Sequence, residues 1–258
     1  MARLIRYMLI ALGILLLIGL FGIIASQPNT PVQSTRESPS AMTITTATST
    51  ASEKTSKLVW KKAMELNGAG IMNTETFKIT GEEWRIKWVL KGGDTSALQI
   101  FVYDSYGDPV GVAANIQGEG SDVSYIHKKG CFYLKINSAN GDWSILIEEK
   151  IPDNAEPVGS VIPSQYKIVK SWTGKGIKTT EKFTITKTPW KISWSTTSSP
   201  YGLLQIFIYD EDGNPVDLVA NVNGGQGYSY IYTKEGPYYL TINSANIEWK
   251  VTVEEPAS

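Results

Sequence analysis

"LQIFVYDSYGDPV", from Leu98 to Val110, recurs 106 residues later as "LQIFIYDEDGNPV", from Leu204 to Val216. In the first copy Leu98, Ile100 and Val102 alternate with Gln99, Phe101 and Tyr103, and an Asp, a Gly and a Pro then crowd into a few residues. Alternation with period two marks a strand, and that residue mix marks a tight turn. The stretch reads as strand, hairpin and strand, spelled twice in one chain.

The duplication extends outward in both directions. Trp84, Ile86 and Trp88 return as Trp190, Ile192 and Trp194, Tyr133 returns as Tyr239, and "INSAN" at Ile136 to Asn140 returns at Ile242 to Asn246. The register slips by one between Gly118 and Ile126. Trp60 can be matched with Trp172 if a small insertion falls near Glu65, which places all eight Trp in the repeated unit. Further alternations at Phe77 and Ile79, at Phe132, Leu134 and Ile136, and at Trp143, Ile145 and Ile147 add strands, as do runs near Leu58 to Trp60, Val110 to Ile116 and Val123 to His127. So many short strands with hairpin-length connections predict an all-β chain of two tandem homologous antiparallel β-sandwich domains, at residues 57–150 and 167–258. Residues 151–166, with three Pro, read as the linker. Trp84, Trp88 and Trp143 share faces with aliphatic residues and are expected in the core. Asn137, Ser138 and Asn140 sit where side chains cap turn backbone and Asn accepts positive φ.

The N-terminal end has a different character. Tyr7 to Ala25 holds no charged residue, and its 19 residues span about 28 Å as a helix, enough to cross a bilayer once. Arg3 and Arg6 precede it and the next basic residue is Arg36, so the expected topology keeps the N-terminus cytoplasmic and places the rest outside. Residues 1–26 are read as an anchor, with a cleaved signal peptide as the rival, and both export the same domains. Residues 27–56 are rich in Ser, Thr and Pro with few aliphatics, the composition of a disordered stalk.

A net charge of -1 gives no electrostatic case for nucleic acid. The single cysteine, Cys131, excludes an intrachain disulfide, and its counterpart Pro237 points to a small packed side chain. The single histidine, His127, aligns with Tyr232, so no catalytic set shared by both copies includes it. No nucleophile elbow, phosphate loop or dinucleotide fingerprint occurs. The pairs Glu82/Glu83, Glu148/Glu149 and Glu254/Glu255 point to opposite faces of a strand, a poor arrangement for paired acid and base. The expectation is a protein that is not an enzyme.

Two kinds of site remain. Asp210, Asp212 and Asn214 are oxygen ligands at alternate positions around Gly213, a pattern seen at Ca²⁺ sites, and the alternative is an ordinary Asp-Gly-Pro hairpin. The second is a ring-and-amide face: Gln99, Phe101, Tyr103, Tyr133 and Asn137 in the first copy, and Gln205, Phe207, Tyr209, Tyr239 and Asn243 in the second. Flat rings beside amides suit glycan binding. The alternative for such a face is packing, with a long loop, the partner domain or the opposite sheet covering the rings.

The order "FKIT", "WRIKW", "LQIFVYDSYGDPV", "GCFYLKI", "WSILIEE", repeated as "FTIT", "WKISW", "LQIFIYDEDGNPV", "GPYYLTI", "WKVTVEE", resembles the pre-peptidase C-terminal type of secreted β-sandwich. That resemblance covers both repeats but neither anchor nor stalk, and the Trp-x-Ile-x-Trp strand departs from the family pattern. It implies a non-catalytic, jelly-roll-like accessory module at the cell exterior, sometimes calcium-stabilised, that binds polymers or partners. The functional expectation is therefore a membrane-anchored extracellular binding protein that recognises a glycan or envelope polymer. The alternatives are a structural component of the envelope or a surface filament, and an accessory or sensor subunit of a membrane complex.

Overall fold

The computed structural model describes residues 56–163 and 165–257. The expected anchor, and the stalk apart from Ser56, fall outside this range. Among the described residues no helix is long and apolar enough to cross a membrane.

Every described element is a strand. The first half contains β1 (Leu58–Ala69), β2 (Met72–Asn73), β3 (Phe77–Ile79), β4 (Trp84–Lys91), β5 (Ala97–Asp104), β6 (Pro109–Gln117), β7 (Gly120–Ile126), β8 (Gly130–Ala139), β9 (Asp142–Pro152) and β10 (Gly159–Ser160). The second contains β11 (Tyr166–Lys175), β12 (Lys178–Thr179), β13 (Phe183–Ile185), β14 (Trp190–Thr196), β15 (Leu203–Asp210), β16 (Pro215–Val222), β17 (Gln226–Ile231), β18 (Gly236–Ala245) and β19 (Glu248–Pro256). In the first half a sheet of order β1-β9-β4-β7 faces one of order β10-β3-β8-β5-β6, with β2 also on β8. In the second half β11-β19-β14-β17 faces β12-β18-β15-β16, with β13 also on β18. All strand pairs are antiparallel.

Alternation selects what each sheet buries. Trp84, Ile86, Trp88 and Leu90 turn inward from β4 and meet Leu98, Ile100 and Val102 from β5, with Phe132, Leu134 and Ile136 from β8. The same positions in the second half build a separate core around Trp190, Ile192, Trp194, Leu204, Ile206 and Leu240. Each core is sandwich-like, and burial at roughly 25 cal/mol per Å² of apolar surface is its main source of stability. Trp143 and Trp249 lie flat over their cross-strand partners Gly68 and Gly174, where an added Cβ would meet ring carbon Cζ2 at 2.6 Å in both halves.

Two sequence readings need revision or completion here. Trp60 and Trp172 are not equivalent: Trp60 pairs with Lys150, as Tyr166 pairs with Pro256, while Trp172 pairs with Val251, as Leu66 pairs with Ile145. Both β1 and β11 carry a bulge at the same place, Lys62/Met64 and Ile168/Lys170, so no insertion is needed and the offset of 106 holds along this strand. Trp172 accordingly packs in the core, while Trp60 lies partly exposed beneath the Arg85 guanidinium at 4.1 Å. The acidic doublets on strands, Glu148/Glu149 in β9 and Glu254/Glu255 in β19, do split between faces, whereas Glu82/Glu83 precede β4 and lie on no strand. Glu148 pairs with Arg85 at 2.7 Å on the outer surface, while Glu149 is buried and accepts hydrogen bonds from Thr80 and Gly81 backbone N–H. Glu255 repeats the inward role at Thr186 and Lys187.

"INSAN" closes the hairpins from β8 to β9 and from β18 to β19. Asn140 and Asn246 take φ of 55° and 58°, the left-handed region Asn tolerates, and their Nδ2 groups donate to Thr95 O and Tyr201 O. Local conformation explains the repeated spelling.

Candidate functional site: two ring faces, one covered

Because side chains alternate along a strand, the residues not in the core form the outer face of the sheet containing β5 and β8. There Gln99 stands opposite Asn137, Phe101 opposite Lys135, and Tyr103 opposite Tyr133. The second half places Gln205 opposite Asn243, Phe207 opposite Thr241, and Tyr209 opposite Tyr239. Tyr103 and Tyr133 stack with centroids 5.3 Å apart, and Tyr209 and Tyr239 with centroids 5.2 Å apart. Gln99 and Gln205 each donate to the neighbouring Asn, Asn115 and Asn221, at 3.3 Å. The ten residues expected to form ring-and-amide faces are thus brought together in two equivalent sets.

The two sets differ in what lies on them. Tyr232 of the second half stacks on Tyr133 at 3.8 Å and 12°, extending the first-half pair to three rings. Its hydroxyl donates to Thr74 O at 2.8 Å and accepts from Thr76 Oγ1 at 3.1 Å. Lys135 Nζ meets Asp217 Oδ1 at 2.6 Å, and Asn73 Nδ2 donates to Asp217 Oδ2 at 2.9 Å. Asn73 backbone N–H donates to Ser229 Oγ at 2.9 Å in a buried setting. Gly70 lies so close to Asn221 O and Val222 that a side chain has no room. The edge formed by β16 and β17 therefore sits on the first ring face and on the β2–β3 connection, and packing by the partner half accounts for that face.

The electrostatics agree with a contact of neutral rings. Burial pushes the Tyr133 hydroxyl well above the usual phenol range, with Tyr103 and the Asp217 carboxylate adding to the effect. Burial raises Tyr232 as well, against the opposing effect of its Thr76 hydrogen bond. Burial and then the Glu75 carboxylate of the first half raise Tyr228 and Tyr230. Asn73 Oδ1 and Asn137 Oδ1 are buried with no hydrogen-bond partner among the described residues.

Asp217, Ser229, Tyr232 and Asn73 were not singled out from the sequence. A signal was present: Lys135 and Asp217 are opposite charges whose counterparts in the other copy, Thr241 and Gly111, are both neutral. A charge pair lost jointly between copies is what a contact made by one copy only would leave.

At the proposed calcium hairpin, the Asp210 carboxylate is engaged by the turn. Its Oδ1 accepts from the backbone N–H of Asp212 and Asn214, and its Oδ2 accepts from Asn214 Nδ2. The Asn214 bonds hold this carboxyl below the ordinary range. Asp212 and Asn214 are exposed, and among the described residues no cluster of three or more His, Cys, Asp or Glu stands close enough to hold a metal. Two shallow clefts of about 630 and 590 Å³ lie at equivalent places beside Trp143 and Trp249, each lined by a single acid, Asp142 or Glu248, instead of a carboxylate pair.

No family model matches the chain, and no curated protein matches it. Among solved structures it is similar to the PBSX exported protein XepA, at 7% identity and a TM-score of 0.26 over 76% of this chain and 86% of that one. It is also similar to PA5104 from Pseudomonas aeruginosa PAO1, a conserved protein of unknown function, at 11% identity and a TM-score of 0.23 over 76% of this chain and 79% of that one. A chain from Sulfolobus Turreted Icosahedral Virus aligns at 10% identity and a TM-score of 0.27 over 84% of this chain and 100% of that one. Overlaps at these scores carry no inference about activity or partners.

Proposed function

We propose that this chain is an exported, membrane-anchored, non-catalytic protein of two tandem homologous jelly-roll-like sandwiches, and that it works by protein-to-protein contact as a structural or assembly component of a cell envelope or surface filament. The interleaved strand orders, β1-β9-β4-β7 against β3-β8-β5-β6 and the same again in the second half, support the jelly-roll reading. A jelly-roll accessory module is also what the family resemblance implies. The observation that carries the functional reading is the fate of the first ring face. It seats the edge of another sandwich through stacked tyrosines and an ion pair, so a surface of this design is suited to protein. The equivalent face of the second half has the same rings, and no described residue stacks on Tyr239 beyond Tyr209.

The rival reading keeps the glycan at that second face, because Gln205 and Asn243 share it with the rings of Phe207 and Tyr239. A photo-reactive phenylalanine analogue at Thr241, in the full chain in its native membrane, separates the two. Discrete protein adducts from Thr241, absent when the same probe stands at the exposed Lys62 on the other sheet, are expected. Adducts to carbohydrate alone would overturn the protein-contact reading.

A further inference from the structure

We infer that the open ring face of the second half is a socket for the β6–β7 edge of another copy of this chain, so that copies join head to tail. This rests on the protein-contact reading and names its partner. The contact inside the chain is asymmetric: one half offers a face and the other an edge. Each half has both surfaces by virtue of the repeat, so one face, on the second half, and one edge, on the first, are left over.

Both leftover surfaces expose apolar side chains where the occupied ones bury them. On the socket side, Ile71 is 4% exposed while its counterpart Ile177 is 77% exposed. On the edge side, Leu218 is 8% exposed against 59% for its counterpart Val112, and Tyr230 is 6% exposed against 51% for Tyr125. Ile71, Leu218 and Tyr230 belong to neither hydrophobic core, and although Tyr230 packs edge-on against Tyr166 and Tyr228 of its own half, its counterpart Tyr125 packs likewise on Trp60 and stays exposed. Exposed apolar positions grouped on one surface mark a contact site.

The polar groups change in a matched way. A copy-to-copy contact would place Thr241 and Thr179 where Lys135 and Asn73 stand, and Gly111 where Asp217 stands. The ion pair vanishes from both sides together, so neither of its charges is left buried alone, and one-sided loss would carry the large penalty of an uncompensated ion; at Thr76, whose hydroxyl bonds Tyr232, the counterpart is Lys182. Ser124 retains the hydroxyl of Ser229, and His127 presents a planar ring where Tyr232 does, ready to extend the Tyr209–Tyr239 stack. The single histidine thereby gains a role: stacking onto the next copy. A face-to-edge contact is heterologous, so repetition yields a ring if the rotation closes and a filament if it does not.

The internal contact supplies the test. Gly70, next to Ile71, abuts Asn221, so Ile177 and Asn115 would be neighbours across two chains. In a Cys131→Ser background, full-length chains with Ile177→Cys or Asn115→Cys alone are treated in membranes with a short bismaleimide. Mixing the two single-cysteine chains is expected to give a linked dimer, and placing both in one chain a ladder. Neither chain alone should link to itself, and Val112→Asp, at an exposed position, should abolish the ladder. Self-linking by Ile177→Cys alone would mean a two-fold contact and would overturn head-to-tail joining. Adducts of Ile177→Cys solely to other proteins would overturn self-assembly while sparing the protein-contact reading, and no protein adduct at all would remove both.

Discussion

Replacing Asp217 with Ala should loosen the junction between the halves without disturbing either core. The carboxylate meets Lys135 at 2.6 Å, with 22% and 12% of the two side chains exposed, so the pair lies between a surface ion pair and a buried one. Surface pairs contribute about 0–1 kcal/mol, and breaking a buried pair costs about 3–5 kcal/mol. A midway value of about 2 kcal/mol is expected for the pair, with about 1 kcal/mol more because Asn73 Nδ2 loses its acceptor. The total is about 3 kcal/mol, against about 2 kcal/mol for Lys135→Ala, and the double variant should show a coupling of about 1–2 kcal/mol. Urea unfolding followed by tryptophan fluorescence reads this directly, since each core holds its own Trp set. The midpoint should fall and the transition should broaden or split as the halves unfold separately. A loss under about 0.5 kcal/mol, with coupling under about 0.3 kcal/mol, would refute the assignment of this pair as the polar anchor of the junction.

Gly68→Ala and Gly174→Ala should each cost about 1–3 kcal/mol, because the new Cβ strikes the indole of Trp143 or Trp249; near-ultraviolet circular dichroism and thermal melts check this. Asn140→Ala should cost about 1 kcal/mol while Asn140→Gly is nearly neutral, since φ is 55° there; chemical denaturation separates the two. Burial alone would raise the Glu255 carboxyl, but the N–H and hydroxyl of Thr186 and the Lys167 ammonium outweigh it and hold the group below the ordinary range. Its stabilising effect is therefore present above the unfolded carboxylate pKa and lost as pH falls through the lower folded value. Glu255→Gln should flatten the acid limb of a stability-versus-pH curve, and an unchanged limb would contradict that role.

Much of the fold was legible because strand alternation is local. Ile100, Val102, Leu134 and Ile136 are in the core where period two placed them, and Gln99 and Asn137 share the other face for the same reason, although their standing directly opposite is set by strand pairing. Matching Trp60 to Trp172 failed because residue identity outweighed register there; the twin bulges that keep the offset constant leave no mark in composition. β10 was missed because two residues, Gly159 and Ser160, make no period, and their pairing with Phe77 and Lys78 is a tertiary event. The ring faces were visible as places where both sides of a strand are partly apolar, but which one would be covered depends on how the halves dock. That is decided by Asp217, Tyr232 and Asn73, which lie far apart in sequence and meet only in three dimensions.

The pairing of β10 has a consequence for how the protein would respond to its own abundance. With Gly159 and Ser160 paired to β3, Val161 N–H donating to Thr76 O in the first half, and Gln165 O accepting from Ala257 N–H in the second, the tether between halves is short. Such a leash gives an effective concentration on the order of millimolar, so a junction worth about 4 kcal/mol already closes within one chain. The same design between separate chains has no leash. If membrane-anchored copies join as proposed, occupancy is set by crowding in two dimensions, so that sparse molecules stay single and dense ones join, with copy number as the signal.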